Sequence, residues 1–228
     1  MAADPALLPV RSEAPPSLIA ERAYLALRDR IVTLRLPPGS VLREDELMRE
    51  LEIGRTPLRE AVKRLTLENL VAVRPRRGTF VTDVHPADIE AITEVRVELE
   101  GFAAALAATR LDAAGREVAR ALLEELDWLE RDGDHEQLMR LDTRVHRFTW
   151  VQSRNPYLVE TLERCFTLSL RIWYVVLDRM PTLGGAVHRQ SSFLETLLTG
   201  DADAARALMR EHVRAFHRDV DRAFGADR

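Results

Sequence analysis

One cysteine, Cys165, occurs in 228 residues, which excludes an internal disulfide and points to a reducing compartment. Lysine is almost missing too: Lys63 is the only one among 33 basic residues, so positive charge is carried by arginine. Aromatic residues make up 6% of the chain against 46% apolar residues overall. A core must therefore be built from Ala, Leu and Val, which points to packed helices. No apolar run is long enough to span a membrane, and the N-terminus lacks a basic-then-apolar signal pattern. The expected location is the cytoplasm.

What is present concentrates in Leu51 to Leu70, LEIGRTPLREAVKRLTLENL. Leu58, Ala61, Val62 and Leu65 recur at helical spacing and form one apolar stripe. Arg55, Thr56, Arg59, Lys63 and Arg64 fall mainly on the other side. Gly54 can serve as N-cap, and Pro57 is tolerated because first-turn amides have no intrahelical partner. Exposed guanidinium groups on an N-terminal turn suit a DNA major groove. The positive pole favours phosphate, and the arginines reach O6 and N7 of guanine.

The flanking sequence completes a module. Residues 1–16 contain four prolines and read as a disordered arm. From Ser17, Ile19, Tyr24, Leu27, Ile31 and Leu34 give a first helix, stopped by Leu36-Pro37-Pro38-Gly39. Glu44 to Leu51 gives a second helix, and VAVRPRRGTFVT gives two strands around Arg76-Arg77-Gly78. Three helices and a small wing predict a winged helix-turn-helix over residues 17–82. Residues 17–82 hold 13 basic and 9 acidic residues, while the rest holds 20 and 28. A basic head on an acidic body suits polyanion binding by the head.

Residues 83–228 predict an antiparallel all-α bundle of six helices. They run Pro86–Thr109, from Asp112 to about Arg131, from Asp134 to about Val151, from Asn155-Pro156 to about Asp178, from about Ala186 to Thr199, and from Gly200-Asp201 to about Phe224. Within it, Asp142 and His146 are an i,i+4 pair that stacks a carboxylate and an imidazole on one face, good geometry for a shared metal ion. His212 lies in the stripe Leu208, His212, Ala215, Phe216 and should also face inward. Gln190 shares a face with Phe193, Leu194 and Leu197, whereas His188 falls on the polar side. Arg96 and Arg171 sit among apolar residues, where a guanidinium is costly without an anion. Either an internal salt bridge, to Glu98, Glu100 or Asp178, or a carboxylate ligand answers that need. Trp173 and Tyr174 could line the same cavity, or serve as ordinary core or dimer contacts.

The stretches LRLPPGSVLREDEL, GRTPLREAVKRL and RRGTFV resemble the GntR-type winged helix. EVRVELEGFAAALAA, DTRVHRFTWVQSRNPYL and TGDADAARALMREHV resemble the FCD ligand-binding domain of the FadR branch, in the same order. The resemblance covers nearly everything from Ser17 onward. It implies a homodimeric transcription regulator, usually a repressor, released by a small effector held in the helical domain. It also implies that Arg55, Thr56 and Arg59 contact bases or phosphates, with Arg77 and Gly78 in the wing. Two positions depart from the pattern. Gly54 stands where Ser is usual, and the acidic Asp45 stands near an arginine position, for which Arg43 could compensate. The family's metal-binding members use an Asp and three His, and the third His position is Gln190 here. An amide oxygen is a poor ligand for zinc or nickel, so a weakened three-ligand site or none is expected.

Three function classes compete. The first is a ligand-gated regulator bound to double-stranded operator DNA as a homodimer, with a small carboxylate between Arg96, Arg171, His146 and His212. The second is a metal-dependent hydrolase using Asp142, His146 and His212. The third is a helical interaction protein with an incidental basic patch. The hydrolase reading lacks a nucleophile, a glycine-rich loop, and an extra Glu beside the metal as general base.

Overall fold

The apolar stripe on the Leu51–Leu70 segment decides how the first part of the chain packs. In the computed structural model, which describes residues 19–132, 135–176 and 184–225, that segment forms α3 (Arg55–Leu67). Its buried residues are Leu58, Ala61, Val62 and Leu65, as the spacing predicts. They meet Ala23, Tyr24, Leu27 and Ile31 of α1 (Ile19–Val32) and Leu47 of α2 (Glu44–Glu50) in one core. Gly54 takes the N-cap position in extended backbone, and its carbonyl accepts from Leu58 N at 3.4 Å.

Behind α3 lies an antiparallel sheet ordered β1–β3–β2, formed by Val41–Leu42, Gly78–Val81 and Val71–Arg74. The β2–β3 hairpin pairs Val71 with Val81 and Arg74 with Gly78. β1 is an addition to the two expected strands. Two residues are too few to show alternation, and β1 exists because Val41 and Leu42 pair with Phe80 and Thr79 of β3. Residues 1–16, expected as an arm, lie outside the described residues.

Six described helices follow: α4 (Pro86–Arg110), α5 (Ala113–Asp132), α6 (His135–Gln152), α7 (Pro156–Val176), α8 (Gly184–Thr199) and α9 (Ala202–Gly225). Side chains cap three of them. Asp112 Oδ1 accepts from Gly115 N at 2.8 Å, Asn155 Oδ1 from Leu158 N at 3.3 Å, and Asp201 Oδ1 from Ala204 N at 3.0 Å. α8 begins two residues before the expected start at about Ala186, and Gly184 and Gly185 lie in its first turn, where amides need no intrahelical acceptor. α4 packs along α9, and its small residues permit a close approach. A Cβ on Gly101 would stand 2.6 Å from Arg210 Cγ, while Ala104, Ala107 and Ala108 are buried. α8 packs on both α5 and α9, and α6 on α4 and α5. Leu122, Leu141, Val145, Phe193, Leu197 and Met209 fill the space between them.

The chain forms two compact units. Among the described residues, one comprises 19–85 together with Thr167–Val175, and the other 86–132, 135–166, Val176 and 184–225. The second half of α7 therefore groups with the first unit rather than with the bundle predicted to start at residue 83. Leu168 packs on that unit's core, and Arg171 hydrogen-bonds to Thr82. No described helix is long and apolar enough to cross a membrane.

Because Leu65 is fully buried, Leu65→Ala should destabilise the first unit by about 2–5 kcal/mol in denaturant titration. Glu60→Ala, on the exposed face of the same helix, should change stability by less than about 0.5 kcal/mol. Equal losses would show that the stripe does not anchor α3.

Candidate functional site

Sinking one face of α3 leaves the opposite face in solvent. Arg55, Thr56, Arg59 and Lys63 are exposed. Arg64 is the exception among the basic residues of this helix. It pairs with Glu21 and lies over the Tyr24 ring at 3.7 Å, tying α3 to α1. Arg43 is exposed at the N-cap of α2 and pairs with Glu46 at 3.3 Å. Asp45, the acidic departure, stands 3.9 Å from Arg55, and both side chains are largely exposed. Water screens such a pair, so it is worth at most about 1 kcal/mol and leaves the guanidinium available. In the wing, Arg77 is exposed and its amide closes the turn on the Arg74 carbonyl at 3.0 Å. Gly78 has φ of +104°, and a Cβ there would meet nothing within 4 Å. Glycine is needed for that backbone conformation and not for space.

The second site lies in the bundle. Asp142 and His146 of α6 meet His212 of α9, with one ligand atom from each lying within 4.8 Å of the others. His146 Nε2 stands 3.2 Å from His212 Nε2 and 3.5 Å from Asp142 Oδ2, and His212 Nε2 stands 3.1 Å from Asp142 Oδ1. Donors bound at about 2.0–2.2 Å to one tetrahedral ion are separated by about 3.4 Å, so the three side chains fit a divalent cation. Gln190 of α8 joins them. Its amide nitrogen donates to Asp142 Oδ1 and lies 3.5 Å from His212 Nε2. Its buried Oε1 has no hydrogen-bond partner among the described residues, and rotating the amide would turn that oxygen toward the cluster as a fourth donor.

Arg96 resolves to an internal salt bridge. It pairs with Glu100 one turn along α4, at 2.5 Å, and lies over the Phe166 ring at 4.9 Å. Glu100 accepts from His146 Nδ1 and from Trp150 Nε1 at 3.4 Å. Phe166 and Trp150 close the cluster's apolar wall, with ring centroids 5.1 and 6.0 Å from His146. The expectation that Arg171 joins this cluster is corrected. Its guanidinium donates to Thr82 Oγ1 at 2.8 Å and to the Thr82 carbonyl, in the other unit. Trp173 and Tyr174 lie on the same half of α7 and pack edge-to-face with each other at 5.8 Å. The side chains of His188 and Asp178 fall outside the described residues. Trp150 and Phe166 were not expected at the site, and Glu100 was expected only as one possible salt-bridge partner of Arg96 or Arg171. The spacing of Arg96 to Glu100 and of His146 to Trp150, four residues each, was the signal available.

Residues 19–81 match the family described as bacterial regulatory proteins, gntR family, and residues 91–215 match the FCD domain. The chain belongs to the GntR family, with an FCD domain. It is 32% identical over 215 residues to an HTH-type transcriptional regulator from an unstable DNA locus of Streptomyces ambofaciens, covering 87% of this chain and 84% of that one. It is 23% identical to the transcriptional repressor RspR of Escherichia coli over 90% of each chain. The solved structure of E. coli McbR/YncC shares the fold, with a TM-score of 0.78 at 23% identity, covering 92% of this chain and 99% of that one. These relatives and families are regulators and not enzymes, so the hydrolase alternative finds no support.

In this GntR regulator, burial of Glu100 opposes its ionisation. The Arg96 guanidinium and then His146 outweigh burial and hold the carboxyl at about 2. Asp142 is likewise pushed up by burial and brought well below the usual carboxylate range by His146, His212 and Gln190. Its side chain keeps 31% of its surface accessible, so solvent screens part of that effect. A carboxyl whose pKa falls on folding contributes stability above its ordinary value, 4.5 for Glu100, and loses it as pH drops toward the folded value. The thermal midpoint of the wild type should therefore fall more steeply between about pH 4.5 and 2 than that of Glu100→Gln. Parallel curves would remove Glu100 from the acid response.

Proposed function

We propose that this GntR regulator binds a pseudo-palindromic operator as a homodimer, represses transcription, and loses DNA affinity when a small carboxylate occupies the FCD domain. The observation that carries the reading is the N-terminal turn of α3, where Arg55, Thr56 and Arg59 are exposed beside a buried apolar stripe. On this reading α3 enters the major groove. Arg55 and Arg59 reach guanine edges or phosphates, Thr56 contacts the backbone, and Arg43, Arg77 and Gly78 lie along flanking phosphates. A twofold dimer presents two such helices to successive half-sites. Repression follows the printed role of RspR.

In the FCD domain, Asp142, His146 and His212 would hold a divalent cation such as zinc or nickel, with Gln190 as a weak fourth donor. When bound, the ion supplies a Lewis-acidic position open to an anion. Arg96 is neutralised by Glu100, and Arg171 is engaged with Thr82. The positive contact for a carboxylate therefore falls to the cluster and not to a bare guanidinium. Effector binding would favour a dimer geometry whose reading heads no longer match the half-sites.

Arg59→Ala should lower operator affinity about tenfold or more while leaving the thermal midpoint unchanged, and wild-type binding should weaken steeply with salt. Wild-type affinity retained by Arg59→Ala would remove α3 from the interface. For the FCD domain, wild-type protein titrated with zinc or nickel should bind about one ion per chain, weakly enough for a chelator to remove, and Asp142→Asn should bind it about 10- to 100-fold more weakly. Wild-type protein that takes up neither zinc nor nickel on titration would end the metal reading.

A further inference from the structure

Glu100 is fully buried on α4, and the function proposed above uses it only to neutralise Arg96. Its two oxygens serve different partners. Oε1 accepts from Arg96 Nε at 2.6 Å and Nη2 at 2.5 Å, while Oε2 accepts from His146 Nδ1 and Trp150 Nε1. Arginine and the indole N–H donate and never accept, and an ionised carboxylate only accepts. His146 Nδ1 must therefore carry the proton. In the neutral imidazole this leaves the lone pair on Nε2, the atom that faces Asp142 and His212. His212 is held differently: its Nε2 faces Asp142 Oδ1 at 3.1 Å, and its buried Nδ1 has no hydrogen-bond partner among the described residues.

We propose that Glu100 is the positioning residue that sets the His146 tautomer for metal ligation, and that Arg96 acts by holding Glu100 in that orientation, rather than by binding the effector. The inference rests on the metal reading for its purpose but not for its test. A carboxylate-to-amide change gives it a definite sign. In Glu100→Gln the guanidinium, with donors only, claims the amide oxygen. The amide NH2 then occupies the Oε2 position and donates to His146 Nδ1. The imidazole proton moves to Nε2, where it points into the ligand cluster and blocks coordination. Glu100→Asp keeps a carboxylate and with it the original tautomer.

The test is nitrogen-15 NMR of histidine-labelled, metal-free, full-length protein at about pH 8.5, above the ordinary imidazole range, followed by zinc and nickel titration. Wild type and Glu100→Asp should show His146 protonated at Nδ1. Glu100→Gln should show it protonated at Nε2, with metal affinity about 10- to 100-fold weaker. A residue with a merely structural role would lower the thermal midpoint and leave the tautomer alone. His146 protonated at Nε2 in the wild type overturns the proposal, even if no variant folds, and so does an unchanged tautomer in Glu100→Gln. Inversion of the tautomer in protein that binds neither metal would retire the metal reading and leave the assignment of Glu100 standing.

Discussion

A negative charge at the centre of a helical bundle has to be answered from several directions, and Glu100 sets that requirement here. It has no accessible surface, and its partners come from its own helix, through Arg96, and from α6, through His146 and Trp150. Removing one member of such a buried set commonly costs about 3–5 kcal/mol, because the remaining charge is stranded. The same network then reaches His212 on α9 and, through Asp142, Gln190 on α8. Four helices are thus held to one polar axis that the surrounding Ala, Leu and Val residues could not specify by themselves. Apolar contacts tolerate sliding, whereas hydrogen-bond geometry does not.

The N-terminal winged-helix unit solves the opposite problem. Its charges stay in water because the other face of α3 is filled by Leu58, Ala61, Val62 and Leu65. Arg59 and Arg64 show how finely this is divided. They lie five residues apart on one helix, yet Arg59 is exposed while Arg64 is tied to Glu21 and stacked on Tyr24. One guanidinium is left for a partner and the other holds α1 in place. The wing repeats the division. The side chain of Arg77 is exposed, while the backbone around Gly78 takes a conformation that only glycine adopts cheaply.

Much of this was legible beforehand where the physics is local. The apolar stripe of α3, the capping residues Asp112, Asn155 and Asp201, and the Arg76-Arg77-Gly78 turn each depend on residues within a few positions of one another. The pairing of Asp142 with His146 was equally readable, since four residues make one helical turn. Arg96 and Arg171 were not. Each read as a guanidinium in need of an anion, either a carboxylate ligand or a salt bridge to Glu98, Glu100 or Asp178. Which group answers each depends on which helix end reaches it, Glu100 in one case and Thr82 in the other. β1 was invisible for the same reason, since two residues become a strand only when β3 lies beside them.

The sequence by itself determined the helical segments, the exposed arginines of α3 and the residue types available for a metal, because periodicity and capping act over one or two turns. Only the tertiary structure decided that Glu100 faces His146, that Gln190 leans on Asp142, and that half of α7 belongs with the first unit. Contacts between residues dozens of positions apart are chosen by how whole helices stack. Shape and buried charge across the fold set that choice, and no local pattern encodes it.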